Sequence, residues 1–265
     1  MAEQTNKFTS LNDFIKSDKT NFTQVQLFFA DQVFDQEQFY QFASQLIVCT
    51  KIKHLQLFLK SNLNLGDEGA FELGKALSNL QELSYLKLIL FQTNIGEKGF
   101  SSIGLGLSNC LLIRFLSINV SNNQIGDEGA QAISLAFRQC KNITDLRFFF
   151  NKNKVSDVGI SAITQGIIHC ILIESLCLSL QENNLTEEGY LILGQGIASI
   201  PKLTSFQAWI KGEYEYYLNQ KEIINCKNIK ELVLHLYSCN TKREKVELKI
   251  KALKIIRLVK LQVFY

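Results

Sequence analysis

The chain of 265 residues contains a single proline, Pro201, and no linker rich in proline, glycine or polar residues after about residue 22. Separate domains are usually joined by such linkers, so one continuous unit is favoured. No stretch reaches the roughly eighteen apolar residues of a membrane span. The polar N-terminus lacks the apolar run of a signal peptide. We therefore expect a cytoplasmic protein without a membrane span, with a cytoskeletal, ciliary or nuclear assembly as an open alternative.

Histidine is scarce, and no cysteine pair has the C-x-x-C spacing of a metal site. His54, His169 and His235 lie far apart, and none has the i,i+4 partner of a zinc-binding helix. The net charge of +3 is too small to indicate nucleic-acid binding. We therefore expect no metal and no cofactor, and the net charge does not favour a nucleic-acid partner.

Motifs of nucleotide chemistry are also missing. The closest match, GAFELGKA at 69–76, is one residue short of a phosphate-binding loop and has alanine where the magnesium-binding hydroxyl belongs. The H-R-D and D-F-G motifs of protein kinases do not occur. We therefore predict that the protein is not an enzyme and acts on no small-molecule substrate.

What the sequence does contain is a repeat. NLNLGDEGA at 62–70 returns almost unchanged as NNQIGDEGA at 122–130. One glycine recurs at intervals of thirty residues, at Gly69, Gly99, Gly129, Gly159 and Gly189. An apolar residue four positions before each glycine and an acid two positions before it keep the same spacing. Five copies in phase predict a repeat architecture for most of the chain.

Each copy has an extended half and a helical half. Leu116, Ile118 and Val120 alternate with polar residues, which predicts a half-buried strand. After the glycine, Ile133 and Phe137 recur at steps of three and four, which predicts one apolar helix face. A lone unit of this kind cannot bury its apolar face, whereas stacked copies form one continuous core.

The segment IRFLSINVSNNQIGDEGAQAI at 113–133 resembles the leucine-rich repeat family, in its long, ribonuclease-inhibitor-like class. The IGDEGA motif is similar to the repeat motif of repeat proteins in ciliated protozoa. The resemblance covers roughly residues 22–240. It implies an α/β solenoid of about eight repeats including irregular caps, with a curved parallel sheet on the concave side and helices on the convex side.

The chain is expected to divide into parts that follow this repeat. They are a polar segment at 1–21, a cap repeat at 22–51, regular repeats at 52–202, irregular repeats at 203–240 and a basic cap strand at 241–265. The last part holds eight Lys/Arg and two Glu. It either protects the last sheet edge with lysines or forms a docking strip for an acidic protein surface or for nucleic acid.

The family resemblance also implies an internal asparagine ladder that bonds the backbone of neighbouring repeats. Its members would be Asn62, Asn123, Asn153 and Asn183. Position 93 has threonine instead, so we expect a weaker rung there.

Two further residue types recur inside the predicted helices. Gly106, Gly166 and Gly196 stand where alanine would favour the helix by about 1 kcal/mol, which predicts close approach of a neighbouring backbone. Cys110, Cys140 and Cys170, which we call the thiol row, take a slot filled by leucine or isoleucine in other copies. We expect buried thiols that act as small hydrophobic groups, with no disulfide or metal.

The residues between the apolar positions of each strand should face the concave side, and this face is unusually aromatic. Aromatic residues and arginine dominate interaction hot spots. We therefore predict a partner-binding surface made of Phe28, Phe58, Tyr85, Lys87, Ile89, Phe115, Asn119, Asp145, Arg147, Phe149 and Trp209. The alternative is that narrow curvature or an end cap covers the flanking phenylalanines, Phe28 and Phe58 above all.

These observations favour a non-catalytic module that holds a protein partner on its concave face, as a component of a larger assembly. The GDEGA repeats also resemble the GTPase-activating proteins of the Ran system, but that family has an acidic C-terminal tail and this chain ends basic. A ubiquitin-ligase substrate receptor would need an N-terminal F-box, and only about twenty residues precede the first repeat.

Overall fold

The computed structural model describes residues 5–211, 228–237 and 260–264. The strands are β1 (Thr5–Phe8), β2 (Gln24–Phe28), β3 (His54–Phe58), β4 (Tyr85–Ile89), β5 (Phe115–Asn119), β6 (Asp145–Phe149), β7 (Ser175–Ser179), β8 (Ser205–Lys211), β9 (Glu231–Tyr237) and β10 (Lys260–Phe264). The helices are α1 (Leu11–Lys16), α2 (Gln36–Ile47), α3 (Gly66–Ser78), α4 (Glu97–Leu107), α5 (Asp127–Gln139), α6 (Asp157–Ile168) and α7 (Glu187–Ala198).

The described strands form one parallel sheet in sequence order, from β1 to β10. Each strand pairs with the next at the equivalent position of the repeat, as in Leu116 with Leu146. Adjacent strands lie about 4.8 Å apart, whereas packed helices need about 8–10 Å. A stack with strands on one side and helices on the other therefore curves with its helices outside. The expected solenoid is confirmed.

The core lies between the sheet and the helix layer. In the repeat that contains β5, Leu116, Ile118 and Val120 are fully buried from the strand side. Ile133 and Phe137 of α5 are fully buried from the helix side. Each such side chain contributes about 1.5–3 kcal/mol relative to exposure. The apolar side chains that recur every second residue in the strands and about every 3.6 residues in the helices thus pack together in one apolar layer that runs through all the repeats.

The asparagines implied by the family resemblance lie inside the turns that follow the strands. Asn123 Nδ2 donates to the carbonyl of Leu90 in the preceding repeat at 2.8 Å, and its Oδ1 accepts from the N–H of Ile95 at 2.9 Å. Asn153 and Asn183 donate to the preceding repeat in the same way, at 3.0 and 2.9 Å. Thr93 is fully buried, and its hydroxyl lies 2.9 Å from the carbonyl of Leu90 in its own turn and 3.3 Å from Asn123 Oδ1 in the next repeat, but it has no bond to the preceding repeat like those of the asparagines.

The recurring acids connect each helix to the next one. They belong to the first turn of their own helix, where the sequence suggests a simple interaction with that helix dipole. In the structure, the carboxylate of Asp127 accepts from Ser156 N at 2.8 Å, Ser156 Oγ at 2.5 Å and Gly159 N at 3.0 Å. Asp67 caps the start of α4 and Asp157 caps Thr186 similarly. We call Asp67, Glu97, Asp127 and Asp157 the acid ladder.

Glycine inside the helices permits close approach of neighbouring backbones. A Cβ added at Gly106 would lie 2.2 Å from the backbone oxygen of Gly74, and one at Gly166 would lie 2.8 Å from that of Ser134. At Gly196 the nearest atom, at 2.1 Å, is a methyl carbon of Thr164. The prediction of close backbone approach is confirmed at Gly106 and Gly166, whereas at Gly196 the close neighbour is a side chain.

The thiol row lies at the ends of the helices and is completely enclosed, with Cys140 1% exposed and the other two 0%. All three are free thiols. The Cys170 sulfur contacts the carbonyl of Phe137 at 3.0 Å, and Cys140 contacts that of Leu107 at 3.4 Å. Burial raises the pKa of each of these thiols to about 12. They are inert packing groups, as the sequence predicts.

The N-terminal segment differs from the expectation of a merely polar stretch at 1–21. Residues 5–8 form β1, which pairs with β2 in parallel register. Leu11 and Phe14 of α1 are buried, and Phe14 contacts the ring of Phe42 at 5.9 Å. The few apolar residues of this segment suffice because they extend an existing core. The solenoid therefore begins earlier than residue 22.

At the other end, the part of the chain expected to form irregular repeats and a basic cap is described only in pieces. β9 pairs with β8, and β10 pairs with β9 in parallel register. Most of the expected basic strand, 241–259, lies outside the described residues, as does 212–227. The choice between an edge guard and a docking strip therefore remains a prediction.

Candidate partner-binding face

The side chains between the buried strand positions form three rows on the open face of the sheet, set by the strand register. The first row runs through His54, Tyr85, Phe115 and Asp145, at the N-terminal ends of the strands. The middle row runs through Gln56, Lys87, Ser117, Arg147 and Cys177. The last row runs through Phe28, Phe58, Ile89, Asn119, Phe149, Ser179 and Trp209.

The first row is centred on the central ring pair, Tyr85 and Phe115. Their rings are stacked with centroids 4.2 Å apart and planes 4° apart. His54 lies beyond Tyr85 at 5.6 Å, and the Arg147 guanidinium lies over the far side of Phe115 at 5.1 Å. Register places the two rings on adjacent strands, where side chains directly opposite are close enough to stack.

Arg147 is held by the neighbouring acid on its own strand. Its Nε and Nη2 donate to the two carboxylate oxygens of Asp145 at 3.1 and 3.0 Å. This two-point contact raises the pKa of Arg147 above its ordinary value, chiefly through the hydrogen bond to Asp145. A planar guanidinium fixed at both ends in this way keeps its position over Phe115.

The last row begins with the N-terminal ring pair, Phe28 and Phe58. The two rings are stacked at 4.6 Å. Lys7 lies over Phe28 at 4.8 Å, and Lys87 lies over Phe58 at 5.2 Å. Both phenylalanines are half-buried, so β1 and the two lysines cover part of each ring. This part of the face matches the alternative in which an end cap shields the flanking phenylalanines.

The last row ends with the C-terminal ring pair, Phe149 and Trp209. These residues lie on β6 and β8, yet their ring centroids are 5.3 Å apart in an edge-to-face arrangement. Ser179 lies between them on β7 and is only 1% exposed. The rings therefore lean together over the serine and form one half-buried aromatic patch.

Ile89 and Asn119 separate the two ring pairs of the last row, and both are half-buried. Asn119 Oδ1 accepts from the N–H of Ser121 at 3.0 Å, which fixes its side chain. In the middle row, Cys177 is 4% exposed, and burial raises its pKa to about 12. The last row thus offers two aromatic patches separated by a less aromatic stretch, and Arg147 lies on the same strand as Phe149 of the second patch.

A groove that the sequence analysis missed borders this face. It has a volume of about 670 Å³ and lies where β3, β4 and β5 begin. Lys53 and Arg114 line it together with the central ring pair. Both cations immediately precede a strand, outside the alternating pattern, so strand periodicity could not mark them. Their equivalent positions in two repeats that flank the repeat of Ser84 are the sequence signal that could have found them.

The stacked strand–helix units and the asparagine bonds between turns define a leucine-rich repeat solenoid. Residues 115–134 match the family model described as Leucine Rich repeat. This match covers β5 and the first part of α5, the same unit in which the repeat is clearest by inspection. No curated protein matches the chain significantly.

Two solved structures are similar to the chain at low identity. An internalin from Listeria monocytogenes is 13% identical, with a TM-score of 0.32, and the match covers 91% of this chain and 80% of that one. The plant peptide hormone receptor RGFR1 in complex with RGF2 is 12% identical, with a TM-score of 0.23. That match covers 98% of this chain and 57% of the receptor chain.

Within the described residues, no helix has the length and apolar character needed to cross a lipid bilayer. The same part of the chain contains no group of three or more His, Cys, Asp or Glu side chains that could hold a metal ion.

Proposed function

We propose that the protein is a non-catalytic interaction module that binds a protein partner on the open face of its sheet, as a component of a larger cytoplasmic assembly. The amino-acid sequence of its repeats favours the ribonuclease-inhibitor-like class and is similar to that of the repeat proteins of ciliated protozoa. The partner-binding residues are those of the three rows, with the C-terminal ring pair at the centre of the contact.

The observation that carries this proposal is the C-terminal ring pair. Phe149 and Trp209 share a half-buried patch on a sheet face where polar side chains would be better solvated. Large aromatic side chains contribute most of the free energy at interfaces when a partner removes them from water. Arg147 stands on the same strand as Phe149, and its fixed guanidinium offers a directed charge beside the patch.

The test compares the proteins that co-purify with the unmodified chain and with the double variant Phe149→Ala, Trp209→Ser, identified by mass spectrometry. We expect one or more specific partners to be lost from the variant. Its folding is checked by circular dichroism and thermal unfolding. Retention of every partner by a folded variant would contradict the proposal.

A matched control removes apolar surface from the opposite side. Leu105 and Leu135 lie on the outer faces of α4 and α5 and are 57% and 48% exposed. The double variant Leu105→Ser, Leu135→Ser removes a similar number of exposed apolar side chains but leaves the sheet face intact. It should keep the partner that the ring-pair variant loses.

A further inference from the structure

The groove beside the first row continues onto the open face of the sheet. The main groove, of about 670 Å³, is lined by Lys53, His54, Tyr85 and Arg114 among others. A second cavity of about 250 Å³ is lined by residues of β2 and β3 and shares His54 and Tyr85 with it. The two together, which we call the sheet-edge groove, form one path that an extended chain could follow.

The charges of the groove favour an anionic ligand. Lys53 and Arg114 are exposed, and neither forms an ion pair with any other residue that the structure describes. Among the described residues that line the main groove, Glu82 is the one acid. Asp145, the nearest acid of the first row, is already bonded at both oxygens by Arg147. The groove therefore has an excess of unpaired positive charge, which attracts acidic segments.

The rings in the groove favour a carboxylate over a nucleic-acid base. One face of Tyr85 lies against Phe115 and the other is flanked by His54. The free side of Phe115 is covered by Arg147. Single-stranded nucleic acids bind by stacking bases on exposed ring faces, and these faces are occupied. What the ring pair presents is its edges, which carry the positive end of the aromatic quadrupole and attract anionic oxygen atoms.

One apolar side chain completes the groove. Leu112 lines it and is 51% exposed, although it is a large aliphatic residue. It lies in the turn just before Arg114, so an apolar contact and a cation stand within two residues of each other. A ligand with a carboxylate next to a bulky apolar side chain would match both.

We propose that the sheet-edge groove binds an extended acidic peptide segment of the partner. Carboxylates of this segment pair with Lys53 and Arg114, and an adjacent apolar side chain packs on Leu112. This proposal rests on the function proposed above, because it describes a second contact with the same partner. The C-terminal ring pair binds an apolar part of the partner, and the positive charge of the groove favours partners that carry an acidic segment.

The experiment uses random peptides displayed on phage, selected on the unmodified full-length protein with Arg114→Glu as the counter-selection. We expect the selected peptides to contain Asp or Glu next to Phe, Leu or another bulky apolar residue. A synthetic peptide of the selected sequence should bind about tenfold more weakly to Arg114→Glu or Lys53→Glu than to the unmodified protein. Binding should also weaken as salt is raised.

The matched variant acts in the opposite direction. Glu82→Gln removes the one acid of the groove, so the acidic peptide should bind it more tightly than the unmodified protein. Basic or uncharged selected peptides, no selected peptide, or weaker binding to Glu82→Gln would overturn the proposal. Tighter binding of an oligothymidine strand than of any peptide would overturn it in favour of nucleic acid.

These outcomes are distinguishable from failure of the proposed function. If the groove proposal alone is wrong, the partner is still lost from the Phe149→Ala, Trp209→Ser variant but is retained by Arg114→Glu. If the proposed function is wrong, the ring-pair variant retains its partners whatever the peptide selection gives.

Discussion

The acid ladder makes a quantitative prediction about stability, which we develop for Asp127→Ala. The Asp127 carboxylate accepts three hydrogen bonds from the next repeat, two of them from backbone N–H groups at the start of α6. Loss of a helix cap costs about 0.5–2 kcal/mol. A buried donor left without a partner costs about 1–3 kcal/mol more, and Gly159 is buried. We expect a total of about 3 kcal/mol.

Thermal unfolding followed by circular dichroism measures this loss. For a chain of this size, each kcal/mol corresponds to about 2–4 °C in Tm, so Asp127→Ala should unfold about 6–12 °C lower. Asp127→Asn keeps one acceptor oxygen but loses the charge, and should lose about half as much.

The control is Glu128→Ala. Glu128 is the adjacent acid in the same first turn, is exposed, and has no hydrogen bond or ion pair within the described residues. Its removal should change the free energy of unfolding by less than about 0.5 kcal/mol. Equal losses for Asp127→Ala and Glu128→Ala would refute the reasoning, because the effect would then come only from charge near the dipole of α5.

Three further predictions concern the interior. Asn123→Ala should lower the free energy of unfolding, measured with urea, by about 3–5 kcal/mol, because buried backbone groups of two repeats would lose their hydrogen-bond partner. Thr93→Ala should lower it by about 1 kcal/mol. Equal losses for the two variants would contradict the role of the asparagine ladder. Gly106→Ala should destabilise the fold by about 1–3 kcal/mol, because its Cβ would lie 2.2 Å from a backbone oxygen; the neighbouring exposed Leu105→Ala should be nearly neutral in the same assay. The thiol row has pKa values of about 12 in the folded state against 9.0 for a free thiol. The unfolded state therefore releases these protons first, so stability should be nearly constant below about pH 8 and fall as the pH rises towards 12, by about 1 kcal/mol per thiol between pH 9 and 10. Urea unfolding of Cys110→Ala over that range should show a shallower fall than the unmodified protein, and an identical slope would contradict enclosed thiols.

The fold was predictable because its signals are local and repeated. The alternation of Leu116, Ile118 and Val120 and the helical spacing of Ile133 and Phe137 both reappear as buried faces. Five copies in phase made the stacking of units the only way to bury those faces. The interruption of the asparagine ladder at position 93 could likewise be predicted, because the sequence has threonine there instead of asparagine.

Contacts between repeats were harder to predict, because a residue type that recurs in each regular repeat could contact either its own repeat or the next one. The carboxylate of Asp127 could interact with the dipole of its own helix or cap the next helix, and the sequence pattern does not distinguish these two interactions. The structure shows that it serves the next. The N-terminal β1 and α1 were missed because a segment with few apolar residues can still extend a core that others have built.

The face of the sheet that carries the candidate site was predictable from the sequence, but the contacts between its side chains were not. Strand alternation identified the open face and its aromatic residues. It could not show that Phe149 and Trp209 lean together over Ser179, since this depends on two strand spacings and a small residue between them. It also could not find Lys53 and Arg114, which lie at the sheet edge outside the alternating positions.

Photo-crosslinking from the sheet face tests the central claim most directly. A benzoylphenylalanine placed at position 149, in cells that make the protein, should become covalently attached to a partner that mass spectrometry can identify. The same group placed at position 135, on the exposed side of α5, should not capture that partner. Capture from position 135 with none from position 149 would contradict the account, because the partner would then bind the helical side.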